Sequence, residues 1–333
     1  MDGDDIFFFG AGFSKSLNNS YPTLAELSEY FLENGFIYEN EKIYKDNLEQ
    51  LLTYLITPLP FKAKEDILRD EASYLEKINK ISKFFIELLE TKEIDKNNKY
   101  ILNLSQYIND NKCTCITLNY DLLLEEILFL THENSYQDID SYDVFYKIPI
   151  KQIDERKNTK SNNYGFNFYQ GDFNINNNFV EIIKLHGSIN WYCDQAYSNS
   201  QIYSFMEKVD RYKDELFIDL KPLIIPPILD KTNNYNHILL RSLWKKAFKA
   251  IQKAKNIYIY GFSFPITDLS VVYLFKSALQ NKQDYKIYVI NTKSNIDDTK
   301  KRYNEIFGEG KCDFSFCCDD NLEKLAKHLN KKF

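Results

Sequence analysis

Five short stretches of this chain put small or polar residues where an apolar run stops. Gly10-Ala11-Gly12-Phe13-Ser14 follows Ile6-Phe7-Phe8-Phe9, and Asn119-Tyr120-Asp121 follows Thr117-Leu118. His186-Gly187-Ser188 follows Lys184-Leu185, Gly261-Phe262-Ser263 follows Tyr260 with Asp268 shortly after, and Asn291-Thr292 follows Ile290. Two closely spaced glycines let a backbone turn sharply and bring N–H groups, with the Ser14 hydroxyl, close to phosphate oxygens. Histidine, with an unperturbed pKa near ~6.5, is largely neutral at cell pH and can accept a proton. Asparagine holds a water or a sugar hydroxyl without charge. Each stretch alone has an ordinary reading: a tight turn, a satisfied core histidine, turn-forming Asn and Asp, a helix N-cap at Asp268. Five of them at strand ends are harder to dismiss, because an open parallel sheet takes its ligands beyond the carboxyl ends of its strands.

The elements that must carry these stretches are legible from hydrophobic period. Ile6–Phe9 is a continuous apolar run, which suits a strand covered on both faces. Cys113–Leu118, Val180–Leu185, Asn256–Tyr260 and Lys286–Ile290 read as further strands. Thr23 with Glu26 has capping-box spacing and predicts a helix start. Helical spacing of Leu68, Ala72, Leu75, Ile78, Phe85 and Leu89 predicts one long helix or two short ones over about 62–92, with another helical run ending near Asp110. Leu122–Leu130, Ile238–Ile251, Leu269–Leu279 and about 321–329 are also helical. Residues from about 131 to 178, rich in Asn, Asp and Tyr, have no sustained period and read as irregular structure, short strands or a mobile insert. Strands alternating with helices predict an α/β fold: a Rossmann-like parallel sheet with helices on both faces. To it are added a largely helical insertion at about 23–110 and an irregular one at about 131–178, all within a single domain over 1–333.

Composition narrows the class. The chain has 333 residues, 44% hydrophobic and 27% charged, as globular proteins are. A net charge of -6 supplies no basic stripe, so no direct nucleic-acid binding is expected. No apolar stretch reaches the ~18 residues that span a bilayer, and no signal peptide precedes the first strand, so a cytoplasmic location without a membrane is expected. The six cysteines include no C-x-x-C pair, so neither a structural zinc module nor another metal is expected.

The five stretches, in this order and spanning about 6–292, resemble the sirtuin superfamily, specifically the bacterial sirtuin-like NAD hydrolases of antiphage defence. Lys184-Leu185-His186-Gly187-Ser188 and Thr117-Leu118-Asn119-Tyr120-Asp121 are the most specific pieces. Two departures separate the chain from protein-deacetylating sirtuins: no four-cysteine zinc module, and Leu17-Asn18-Asn19-Ser20-Tyr21-Pro22-Thr23 where those enzymes carry a Pro-Asp-Phe-Arg-like segment.

The resemblance implies NAD as substrate, cleaved at the nicotinamide–ribose bond. Gly10, Ala11, Gly12 and Ser14 would hold the pyrophosphate, with the N–H groups of Gly10 and Gly12 as donors. Gly261 and Ser263 would form a second phosphate or ribose contact. Asp268 belongs to the same nucleotide-binding set, and Asn291 would meet the adenosine ribose. His186 would act as base or ribose-hydroxyl partner, Asn119 would hold the attacking water, and Asp121 would bind the nicotinamide carboxamide. An enzyme that depletes NAD must be off at rest. Control is therefore expected from homo-oligomer assembly, the irregular insert, or a separately encoded partner such as a helicase-type ATPase or an Argonaute-like protein. Three alternatives stay open: an NAD-dependent protein deacylase, a non-catalytic NAD or ADP-ribose sensor, and an unrelated α/β domain.

Overall fold

The structure is a computed structural model, which describes residues 5–44, 47–132, 142–154, 167–170, 179–194, 201–205, 220–229, 231, 235, 237–294 and 296–331. Its centre is a six-stranded, all-parallel sheet. The strands are β1 (Asp5–Phe9), β2 (Thr114–Thr117), β5 (Ile182–Lys184), β9 (Asn256–Tyr260), β10 (Lys286–Asn291) and β11 (Cys312–Cys317). They lie in the order β11-β10-β9-β1-β2-β5. Taken along the chain, that is the doubly wound order 3-2-1-4-5-6. Its direction of winding reverses between β1 and β9, the crevice where such sheets take ligands.

The fully buried run of β1 explains why it lacks alternation. Phe7 and Phe9 stack on one another at 5.8 Å, and Phe7 meets Tyr107 of α5 (Lys99–Asp110) at 6.3 Å. On the opposite face, Phe8 meets Phe275 of α8 (Leu269–Leu279) at 5.1 Å. Successive side chains of one strand thus reach helices on both faces of the sheet. On the first face α5 packs with α6 (Leu123–Leu130) and α10 (Asn321–Asn330). On the second, α8 packs with α7 (Ile238–Lys253) and α9 (Ile296–Phe307). The helix α9 and the strand β11 were not legible in the sequence. The burial of β11 is confined to Phe316 and Cys317, the pattern of an edge strand.

The residues between β1 and α5 are helical: α2 (Leu24–Glu33), a 3-10 turn at Glu39–Tyr44, α3 (Leu48–Ile56) and α4 (Lys64–Thr91). The capping box expected at Thr23 is present, with the Thr23 side chain accepting from Glu26 N and the Glu26 carboxylate accepting from Thr23 N. The long amphipathic run is one 28-residue helix.

A second, five-stranded sheet was not expected. Its strands are β3 (Ile150–Asp154), β4 (Asn167–Gln170), β6 (Gly187–Asp194), β7 (Ile202–Phe205) and β8 (Leu220–Ile224), in the order β4-β3-β7-β6-β8. Much of the stretch expected to be irregular, 133–141, 155–166 and 171–178, lies outside the described residues. Its described part supplies β3 and β4. These strands are short and polar, so their stability comes from pairing partners distant in sequence rather than from a periodic pattern. The chain passes from the first sheet to the second at Leu185-His186-Gly187.

Candidate functional site

The opening glycines are required by a close approach between two strand ends. Gly10 caps α1 (Ala11–Leu17) and lies against the turn after β9. A Cβ on Gly10 would stand 2.6 Å from the Gly261 carbonyl oxygen, and one on Gly12 would stand 2.8 Å from the Gly261 Cα. Gly261 itself has φ +67, and a Cβ there would fall 2.2 Å from the Phe13 nitrogen. Three glycines from two adjacent strands therefore interlock at the point where the winding reverses. The ring of Phe13 holds this corner from beneath, 4.3 Å from Phe9 and 5.2 Å from Tyr260.

That corner differs from the expected donor cradle. Gly10 N–H donates to Tyr260 O at 2.9 Å, and Gly12 N–H donates to Gly261 O at 3.0 Å. Both N–H groups are engaged by the protein because the two turns must satisfy each other once buried. Lys15 forms an ion pair with Glu26, the residue that also completes the cap of α2.

Ser14, Asn119 and Asp121 come together as expected, in an unexpected arrangement. Ser14 Oγ donates to Asp121 Oδ2 at 2.8 Å and accepts from Asn119 Nδ2 at 2.9 Å. Asn119 Nδ2 also donates to Gly10 O at 3.0 Å. The Asn119 amide nitrogen is thus fixed on two acceptors. Asp121 is buried, and its Oδ1 accepts from Leu123 N at 3.1 Å. Burial raises the Asp121 pKa, and the nearby Lys184 and the Ser14 hydrogen bond act against that rise. Lys184 is fully buried, donating to Asp121 O at 2.6 Å and pairing with Glu125 at 3.0 Å. Asp121 is therefore the base of a network that fixes Asn119, with both carboxylate oxygens already bound to the protein.

His186 stands at the carboxyl end of β5, the strand next to β2. Its backbone carbonyl accepts from Ile225 N at 2.8 Å. Gly187 follows with φ +78, and a Cβ there would lie 1.9 Å from the Leu223 oxygen. Only glycine turns the chain so tightly against β8. The imidazole is 5% exposed, its Nε2 has no hydrogen-bond partner among the described residues, and burial pushes its pKa down to about 4. Asp268 opposes that fall and Lys231 adds to it.

Asp268 occupies the N-cap position of α8 without making a side-chain cap hydrogen bond. Its carboxylate instead pairs with Lys231 at 2.6 Å. Ser263 is exposed, on a loop whose neighbours are held by Arg302 and Tyr303: Arg302 Nε donates to Phe264 O at 2.9 Å and Tyr303 OH to Phe262 O at 2.6 Å. Asn291 ends β10, with its Oδ1 accepting from Thr292 N at 2.9 Å. Ser263 and Asn291 sit on the β9–β10 side of the crevice, whereas Asn119 and His186 sit on the β2–β5 side.

Sequence reasoning missed the residues around His186. Tyr120 donates to Ile225 O at 2.5 Å and packs on Phe85 of α4 at 5.9 Å. Trp244 of α7 lies 6.5 Å from the His186 ring and donates to Leu185 O at 3.2 Å, and Tyr235 packs on it at 4.9 Å. Glu49 of α3 lies 3.9 Å from Lys231. Tyr120 was visible inside the Asn-x-Asp stretch and Trp244 on a helical apolar face. Glu49 and Lys231 carry no local signal. The six cysteines are free thiols, and among the described residues no group of three or more His, Cys, Asp or Glu is placed to hold a metal ion.

No family model matches the chain, and no curated protein matches it. Among solved structures, the chain is similar to a Sir2 homologue mutant in complex with ADP-ribose, at a TM-score of 0.47 and 13% identity, covering 98% of this chain and 92% of that one. It is similar to a Sir2 homologue–NAD complex at a TM-score of 0.46 and 13% identity, covering 98% and 90%. A third similarity, at a TM-score of 0.43 and 11% identity, is to Sir2Tm bound to a propionylated peptide, covering 98% and 92%.

Proposed function

We propose that this protein is an NAD hydrolase, cleaving the nicotinamide–ribose bond to give nicotinamide and ADP-ribose. The observation that carries the reading is His186: a buried imidazole, neutral at cell pH, with Nε2 unpartnered among the described residues at the carboxyl end of a doubly wound sheet. The nucleotide would lie across the crevice between β1 and β9. The interlocked Gly10, Gly12 and Gly261, with Ala11, Ser263 and Asn291, would shape its walls. Because the Gly10 and Gly12 N–H groups are engaged, these glycines would act by close approach and not by donation.

In the reaction the C1′–N bond breaks and its electron pair returns to the pyridinium ring, so nicotinamide leaves neutral and needs no acid. The ribose develops oxocarbenium character, and water adds at C1′. Asn119, its amide nitrogen held by Ser14 and Gly10, would use its carbonyl oxygen to accept a hydrogen bond from that water or from a ribose hydroxyl. His186 Nε2 would accept the proton released as the new C–O bond forms. Ser14 and Asp121 would position Asn119, and Asp268 would act beside His186. On the resemblance stated above, this activity would deplete NAD in antiphage defence and be held off until the chain assembles or meets a separately encoded partner.

The test is purified protein with NAD, read by chromatography for nicotinamide and ADP-ribose, beside His186→Ala and Asn119→Ala. Turnover is expected where the purified chain assembles into its active form, with losses of roughly 10²–10⁴-fold in the His186 variant. Turnover indifferent to both substitutions overturns the reading, as does failure to bind NAD. An acyl-lysine peptide in a parallel arm separates the deacylase: nicotinamide release that requires the peptide would favour that reading. Binding without turnover would leave two readings, a latent enzyme waiting for its partner or the sensor, and turnover on adding the partner would separate them.

A further inference from the structure

A continuous run of hydrogen bonds leads from the second sheet to Asn119. It starts at Asp143, in a 3-10 turn at Tyr142–Phe145, whose carboxylate accepts from Gln152 Nε2 of β3 at 2.9 Å and from Ser204 Oγ of β7. The turn delivers Tyr146, whose N–H donates to Asp143 O at 3.0 Å. Tyr146 is buried, with its ring edge-on to Trp191 of β6 at 5.0 Å. Its hydroxyl donates to Glu125 Oε1 of α6 at 2.6 Å. Lys184 donates to that same oxygen at 3.0 Å and to Asp121 O at 2.6 Å. Ser14 and Asn119 then close the run, at 2.8 Å from Ser14 Oγ to Asp121 Oδ2 and 2.9 Å from Asn119 Nδ2 to Ser14 Oγ.

The middle of this run leaves little slack. Glu125 and Lys184 are completely buried, and Glu125 Oε2 has no partner among the described residues. Glu125 is therefore held through Oε1 alone, by one phenol and one ammonium. A buried carboxylate that loses a donor draws harder on the donor that remains. Without the Tyr146 hydroxyl, that donor is Lys184, whose three protons can be redirected from Asp121 O to Glu125.

We propose that Tyr146 is a positioning residue for Asn119: by satisfying Glu125 it leaves Lys184 free to clamp the Asp121 backbone, and so fixes Ser14 and the Asn119 amide. Its bearing on catalysis rests on the reading of Asn119 as the residue that holds the attacking water. The turn that carries Tyr146 is tied to β3 and β7, so the second sheet, and not the parallel sheet alone, sets the aim of Asn119.

The first test needs no substrate, so its outcome is separate from whether NAD is cleaved. The full chain is prepared with nitrogen-labelled asparagine, and exchange of side-chain amide protons with water is followed by NMR in the wild type, Tyr146→Phe and Glu125→Gln. The Asn119 signal is the one lost in Asn119→Ala. Asn109, identified in the same way through Asn109→Ala, is the internal control: its buried amide donates to Leu128 O and Thr131 Oγ1 at 2.9 Å each, at the other end of α6 and off the run. Tyr146→Phe keeps the ring on Trp191 and removes only the hydroxyl. It is expected to speed exchange at Asn119 by roughly tenfold and to leave Asn109 as in the wild type. Glu125→Gln is expected to act in the same direction, and if it does not fold, Tyr146→Phe decides alone. Equal acceleration at Asn119 and Asn109 would mean general loosening and overturns the proposal, as does an Asn119 rate unchanged by the loss of the hydroxyl. In protein that turns over NAD, Tyr146→Phe is expected to lower kcat in the wild-type background and to add nothing in Asn119→Ala. Losses of equal size in both backgrounds count against a role exerted through Asn119.

Discussion

His186 and Asn119 each have a property that can be measured independently. First, His186 is neutral well into acid. On the proposed mechanism kcat/KM therefore keeps its value as pH falls through 6.5, and the acid limb appears near 4, where His186 takes up its proton. A limb at the ordinary imidazole value in a pH–rate profile would show that another group controls the reaction. Second, Asn119 is held by its nitrogen, so Asn119→Asp replaces a donor with an acceptor facing Gly10 O and Ser14 Oγ. That change leaves two acceptors unmet and adds a charge beside Asp121. It is expected to cost activity by at least the ~10²-fold of a lost catalytic group and to lower the melting temperature, whereas Asn119→Ala removes the contact without the repulsion. Activity and thermal melts of the two variants side by side distinguish these effects.

At the scale of elements, the corner where α1 begins and β9 ends is set by three glycines. Gly261→Ala combines a left-handed φ with a Cβ 2.2 Å from the Phe13 nitrogen. The backbone of α1 must move to admit it, and a loss of more than ~3 kcal/mol is expected in denaturant unfolding, with NAD binding lost alongside. Gly308→Ala offers a comparison, because its φ of +89 is strained but no atom lies within 4 Å of the added carbon. The difference between the two variants measures the close approach itself. The helix α2 depends on a different device. Thr23→Ala removes the cap that joins Thr23 to Glu26 and is expected to cost about 1 kcal/mol. It also loosens Glu26, the partner of Lys15, so part of the effect should reach α1.

At the scale of the whole molecule, His186 ties stability to pH. In the unfolded chain an imidazole takes its proton near 6.5, whereas in the native state it does so at about 4. Between those values the unfolded state binds more protons, so stability falls as pH is lowered from 6.5 toward 4, by up to ~3 kcal/mol from this group, and is independent of it above 6.5. Unfolding midpoints at several pH values should show that slope in the wild type and a flatter one in His186→Gln. An equal slope in both would place the imidazole in a wetter setting than the structure gives it. Much of this architecture follows from local pattern. The continuous apolar run of β1, the capping box at Thr23, the periodicity of α4 and the polar residues at five strand ends depend on neighbours within a few residues, so the sequence alone determined them, and with them the parallel α/β sheet and the address of the candidate site. Tertiary structure decided the rest. The second sheet pairs strands from distant segments. The Gly10 and Gly12 N–H groups are engaged by a turn some 250 residues away in the chain. The ion pair of Lys231 with Asp268, and the reach of Glu49 toward both, exist because three segments bury one cation in common. Burial and long-range pairing are properties of the folded chain, and no window of sequence contains them.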